Sequence, residues 1–286
     1  MSHIITNDKT PYEKLNIKMC KQSIRVPRQT SNIGSKAELG RYPISNAIIV
    51  AILKNFIRLE QTPHGELLRH ALESQRNLNK NSYNTLTYPQ TVKCIVSQLN
   101  IYNLVQEQCQ KTYQKGVLKY FGRKIQEICS KWYDSYFFRK MSDIRKDCDS
   151  KLWVYSQIKS KYNYEFYLDA KQSERNLVTK FRLSAHWLPI ERLRYTKPKI
   201  ERKSRLCTLC HKGLGNEYHA LMECDDRILF NIREIFMKEI STVSLEFRHM
   251  DKINQFWHII SAQEGVILPH VIKWISQIND EYKKKV

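Results

Sequence analysis

Apolar side chains recur along much of this chain at intervals of three and four, the spacing that gathers them on one face of a helix. After the turn that Pro43 punctuates in ELGRYPIS (38–45), Ile49, Val50, Ile52, Leu53 and Phe56 follow this rule to about Glu60. Thr62 and Pro63 form a helix-start signal, and Leu68, Ala71, Leu72 and Gln75 continue one face to about Asn77. Beyond a polar loop rich in Asn and Tyr, Val92, Ile95, Val96 and Leu99 predict one helix, and Ile101, Leu104 and Val105 begin another after a break marked by Asn100 and Asn103. From Val117 to Phe138, the stripe Phe121, Ile125, Ile128, Trp132 and Tyr136 faces away from Lys119, Arg123, Lys124 and Lys131. Such a stripe reads as core rather than as a platform for stacking bases. Further helices are expected over 152–161, 173–184, 227–240, 252–260 and 266–282. In the last two, Ile253, Phe256, Trp257 and Ile260, then Ile267, Val271, Trp274, Ile275 and Ile278, carry the pattern.

The fold class is therefore mainly α, and no repeat of 20–50 residues suggests a solenoid. Short β pairing is expected only near the cysteines of the C-terminal third. The first thirty or so residues mix Lys, Asn, Thr, Ser and Pro without periodicity, which predicts a flexible basic arm over 1–35. A helical domain over 36–175 is expected to follow. Residues 176–286 then carry a basic strap, a small CCHC zinc module and the C-terminal helices.

Charge changes the picture most. Lys and Arg number 48 against 28 Asp and Glu, a net charge of +20, far more than solubility asks for. That excess points to RNA or DNA as partner and offers no case for a small-molecule substrate. The longest aliphatic run, Ala47 to Leu53, is too short to span a bilayer, and the start of the chain lacks a secretory pattern. An intracellular protein, nuclear in view of its partner, with reduced cysteines is the expectation. Cys20, Cys94, Cys109, Cys129 and Cys148 lie scattered and read as small buried hydrophobes or free thiols.

The other three cysteines do not. Cys207, Cys210, His219 and Cys224 make C-x2-C-x8-H-x4-C, three thiolates and an imidazole, the closed four-ligand set of a structural Zn2+ site. Gly213 and Gly215 let the backbone return His219 to the Cys207–Cys210 knuckle, whereas His211 sits too close to Cys210 to be the fourth ligand. Residues five apart on a regular helix are about 140° apart around its axis, so His219 and Cys224 require a loosened turn between them. The next helix is expected to start at Cys224 or Asp225, with Asp225 and Asp226 in its first turn. Four protein ligands leave no open position for catalysis.

Upstream, residues 180–205 hold Lys180, Arg182, Arg192, Arg194, Lys197, Lys199, Arg202, Lys203 and Arg205 against Glu191 and Glu201 alone. Pro189 and Pro198 bar one continuous helix. Arg182, Arg192, Arg194, Lys197, Lys199, Arg202, Lys203 and Arg205 are the candidate phosphate contacts, and Trp187 is the candidate stacking residue.

This stretch, with FR, H-x-LPIE-x-x-R, the C-x2-C pair, Gly215-Asn216-Glu217-Tyr218-His219 and Cys224, resembles the C-terminal zinc-binding segment of reverse transcriptases from non-LTR (LINE-like) retrotransposons. ELGRYPIS and the helix after it resemble the region that follows the polymerase domain there. The likeness runs from about Lys36, tight around the cysteines and loose elsewhere. It implies a zinc-stabilised segment that helps hold template RNA or target DNA, with the polymerase part of a retrotransposon protein as a further partner. The family's Tyr-x-Asp-Asp metal-binding pair is absent: YLDA at Tyr167 offers only Asp169, and Asp225–Asp226 fit helix capping better than two-metal chemistry. The reading is a fragment or remnant of such an enzyme with neither polymerase nor nuclease residues of its own. A domesticated nucleic-acid-binding regulator and a zinc-stabilised protein interaction module stand as alternatives.

Overall fold

The structure is a computed structural model that describes residues 8–63, 66–78, 87–111, 114–262 and 264–284. Among these residues the regular elements are helical: α1 (Pro11–Ser23), α2 (Asn32–Glu38), α3 (Ile44–Glu60), α4 (Leu67–Leu78), α5 (Tyr88–Leu99), α6 (Tyr102–Cys109), α7 (Lys115–Arg145), α8 (Trp153–Ile158), α9 (Gln172–Arg182), α10 (Pro189–Arg192), α11 (Arg227–Val243), α12 (Leu245–His249), α13 (Lys252–Ser261) and α14 (Leu268–Lys284). The mainly α expectation holds. Pairing of β type is confined to isolated bridges, Leu206–Leu214 beside the cysteines and Leu39–Tyr164 away from them. None of these helices is long and apolar enough to cross a membrane. The polar Asn- and Tyr-rich loop expected after α4 lies largely outside the described residues.

The chain divides into two compact units, Met1–Asn16 with Tyr42–Tyr136, and Ile17–Arg41 with Phe137–Val286. This differs from the boundaries at 35 and 175. The arm is the largest correction. In α1, Glu13, Asn16, Ile17, Cys20 and then Ile24 are buried at helical spacing, but two of them are polar, so a hydrophobicity pattern misses the face. In α2, Gly34, Ser35, Lys36, Ala37 and Glu38 are buried, small or charged residues that carry no apolar periodicity. Gly34 is there for closeness: a Cβ would lie 2.7 Å from the Leu183 side chain. Ser31 caps α2 by accepting from the Gly34 N–H at 3.3 Å.

The first unit is built on α3 (Ile49, Leu53, Ile57), α5 (Val92, Ile95, Val96, Leu99) and the N-terminal part of α7. Burying such side chains contributes roughly 1.5–3 kcal/mol each. Asn100 ends α5 in the left-handed conformation at φ 53°, which asparagine tolerates, and the chain turns into α6. On α7 the core stripe is Phe121, Ile125, Cys129, Tyr133, Phe137 and Met141, with Ile128, Trp132 and Tyr136 only partly covered. The expected stripe was right at its start and wrong from Ile128 on, because Cys129 serves as a small apolar residue and Tyr133 buries its whole ring. Trp132 and Tyr136 instead stack on each other at the flank, 5.9 Å apart with planes 6° from parallel.

In the second unit α9, α11, α13 and α14 surround a core that includes Phe181, Leu221, Phe236, Phe256, Trp274, Ile275 and Ile278. Phe236 of α11 and Trp274 of α14 lie face to face, 3.9 Å apart. Cys207 and Cys224 belong to this same core, both with no exposed surface. These two cysteines are thus part of the second unit's interior.

Candidate metal centre and basic groove

The chain folds the four candidate ligands together by local means. Cys207 N–H donates to Gly213 O at 2.7 Å and His211 N–H to Cys207 O at 3.0 Å, which closes the knuckle. His211 itself takes φ 60°, is exposed, and stands outside the ligand group. Gly213 is required by proximity, since a Cβ there would lie 2.5 Å from His219 Nδ1. Asn216 Oδ1 accepts from the His219 N–H at 2.8 Å and starts the next turn.

That turn supplies the expected irregularity. His219–Glu223 is π-helical, with Cys224 N–H donating to His219 O at 2.7 Å, so the residue five positions on comes back over the first. The helix that follows starts later than expected. Asp226 is its N-cap, accepting from the Ile228 and Leu229 N–H groups at 3.0 and 3.2 Å, and Asp225 pairs with Lys212.

The ligand atoms of Cys207, Cys210, His219 and Cys224 all lie within 4.8 Å of one another, a group that could hold a metal ion. Cys210 Sγ is 3.2 Å from His219 Nε2, and Cys207 Sγ is 3.8 Å from Cys224 Sγ. The chemistry fits a cation. The hydrogen bond from Cys224 lowers the Cys207 thiol below its ordinary range, while the same contact, reinforced by burial, raises Cys224 above it. Adjacent thiolates repel unless a positive ion lies between them.

One contact at this centre has no counterpart in the spacing motif. Tyr282, near the end of α14, places its hydroxyl 3.1 Å from Cys207 Sγ, 75 positions away in sequence. It is 2% exposed, and burial followed by the Cys207 contact holds its own proton on. Its α-helical spacing from Ile275 and Ile278 marks it as a core position, but nothing local marks it as a partner of sulfur.

The lead-in packs against the centre through residues of the quoted motifs. Pro189 lies where a Cβ on Gly215 would come within 2.6 Å, and Ile190 N–H donates to Gly215 O at 2.9 Å. Glu217 is buried and accepts from Ser184 Oγ and His186 Nε2, both at 2.8 Å. His186 Nδ1 accepts from the Leu188 N–H, which fixes Nε2 as the protonated nitrogen. Burial opposes the Glu217 charge, but His186 outweighs it and brings the carboxyl below its ordinary value.

Two of the eight candidate phosphate contacts are internal, and the assignment to them is corrected. Arg182 is 1% exposed, with Nη2 3.1 Å from Glu38 Oε1 and 3.4 Å from Glu165 Oε1, and Nη1 donating to Ile260 O at 3.1 Å. Tyr167 donates to the other Glu38 oxygen, and Lys159 pairs with Glu165. Burial works against the Arg182 charge and the surrounding anions, Glu38 first, more than restore it. Arg205 is 4% exposed; it donates to Ile200 O at 3.1 and 2.9 Å and to Ile190 O at 3.0 Å, and so clamps the lead-in on itself. A guanidinium surrounded by acceptors is a structural tie.

The remaining candidates stay near the surface. Lys197, Lys199 and Lys203 are exposed, Arg202 pairs with Asp149 at 3.2 Å, and Arg194 with Glu191 at 2.7 Å. Arg194, Lys199, Arg202 and Lys203, over Arg205, line a groove of about 830 Å3 with only Asp149 and Glu201 opposing them. Trp187 and Arg192 lie elsewhere, along a smaller cavity. Comparison with family models, with curated proteins and with solved structures finds no match to this chain.

Proposed function

We propose that this chain is a non-LTR retrotransposon reverse-transcriptase segment, a fragment or remnant that binds RNA or DNA in the nucleus through its basic groove, without polymerase or nuclease chemistry of its own. Zn2+ is the metal of the reading, since a closed set of three sulfurs and one imidazole suits it, and its role is structural. The observation that carries the proposal is the groove. Four cations face one concavity immediately before Cys207, and Gly215 N–H donating to Arg205 O at 2.9 Å ties that concavity to the metal centre. Phosphates would be the ligands, and recognition through them is independent of sequence. The family resemblance points the same way.

The test is binding of single-stranded RNA or DNA across a salt series. Affinity should fall steeply with salt, and Lys199→Ala and Lys203→Ala together should lower the slope by about one per lost phosphate contact. Metal analysis of the same preparation should give one Zn2+ per chain. Binding indifferent to salt and to these two lysines would sink the groove and favour a protein interaction module.

A further inference from the structure

The smaller cavity, of about 310 Å3, is built differently from the groove. Lys151, Lys180, Trp187, Glu191, Arg192 and Tyr195 are among the residues that line it. Trp187 is 50% exposed and Tyr195 55%, two large rings that leave half their surface in water. Glu191 is the opposite, 4% exposed. Its Oε1 accepts from Arg194 Nη2 and Nε at 2.7 and 3.2 Å, but Oε2 accepts no hydrogen bond; Lys151 Nζ stands 3.6 Å off. Oε2 is held by its ion pair with Lys151, whose Nζ is also 3.3 Å from the Tyr195 hydroxyl, so it keeps capacity for one hydrogen bond from an N–H.

Flat rings at the mouth, cations along the wall and an acceptor at depth match one ligand chemistry. We propose that this cavity takes a single unstacked base of a bound strand. The base packs on Trp187 and Tyr195, a Watson–Crick-edge N–H donates to Glu191 Oε2, and the attached phosphate meets Lys180 and Arg192. The proposal rests on the nucleic-acid reading above and adds base selection to it. Guanine is the favoured base. Its N1–H and N2–H2 lie side by side, whereas the lone N3–H of thymine or uracil is flanked by carbonyl oxygens that a carboxylate repels.

The experiment uses the intact chain and strands of abasic nucleotides carrying no base, one thymine or one guanine, read by fluorescence anisotropy. A single guanine should tighten binding by about tenfold or more over the base-free strand, the gain expected of one stacked base, with thymine between. Trp187→Ala and Tyr195→Ala should each erase that gain and leave the base-free strand bound as before. Glu191→Gln keeps its oxygen for Arg194 and turns an NH2 to the base, so it should shift preference towards thymine. Equal affinity for the guanine and base-free strands, with a steep salt dependence kept, would overturn the base pocket and spare the groove. A guanine strand that binds where the base-free strand does not would overturn the groove and spare the pocket. Binding of neither would remove both.

Discussion

Two buried polar clusters hold the second unit together, and they solve the same problem by opposite means. Around Arg182, two cations (Arg182, Lys159) meet two carboxylates (Glu38, Glu165); both cations also donate to backbone oxygens, and Glu38 also accepts from Tyr167. Around Cys207, three sulfurs and an imidazole converge within 4.8 Å of one another, with no carboxylate in the group. A buried cluster whose charges close on themselves is architecture, because its members already satisfy one another. A cluster of thiols that would repel one another once ionised could be completed by a metal ion. The comparison explains why one basic residue of the motif region is a tie while a group of cysteines is a candidate metal site.

The sharpest way to break the comparison is to remove what each cluster depends on. Chelation, or Cys207→Ser or Cys224→Ser, should take the metal and open the segment around 205–226 to protease, since structural zinc can supply about 10–16 kcal/mol to a small module. As Cys207 and Cys224 also sit in the second unit's core, that unit's melting should fall with it, while the first unit keeps its own apolar core. Serine at the exposed Cys148 should change neither. Full protease resistance in the metal-free protein would make the cysteines merely well-packed thiols.

The charge-balanced cluster should behave differently, losing much when halved and little when replaced. Arg182→Met leaves Glu38 buried without its guanidinium and should cost about 3–5 kcal/mol in urea unfolding. Adding Glu38→Leu to it should recover most of that loss, because a buried ion pair is often no more stable than apolar residues of similar volume. A double variant as unstable as the single one would mean that the pair itself, rather than its balance, stabilises the unit.

This contrast also sorts what could be read from the chain alone. Cys207, Cys210, His219 and Cys224 were legible because metal coordination restricts residue type and spacing together, and even the loosened turn at 219–223 followed from helix geometry. The helices α3, α5 and α14 were legible because their buried faces are apolar. Arg182 and Arg205 were misread because charge in a sequence does not say whether a guanidinium points inward. Its partner Glu38 is 144 positions away. The available signal was that Glu38 and Arg182 stand in two separate motif segments with opposite charges. In α1 and α2 the buried faces use Glu13, Asn16, Ser35 and Lys36, so burial there is decided by tertiary partners and not by pattern.

The smallest expected effect tests the one place where the metal centre borrows support from outside its motif. Tyr282 Oη lies 3.1 Å from Cys207 Sγ, so the hydroxyl can donate to the thiolate once a metal has displaced its proton. Such a bond orients the ligand and spreads its charge without touching the metal, and partners of this kind typically alter metal affinity by about 10–100-fold. Tyr282→Phe keeps the ring in its place in α14, so packing of the core should survive with a loss near 1 kcal/mol. Metal affinity, measured by competition with a chromophoric chelator, should fall about tenfold, while Tyr164→Phe, a removal of an exposed hydroxyl bonded to Asp169 at 3.0 Å, should leave it unchanged. If both variants hold zinc equally well, the Cys207 sulfur needs no donor from α14, and the metal centre is as self-contained as the charge cluster.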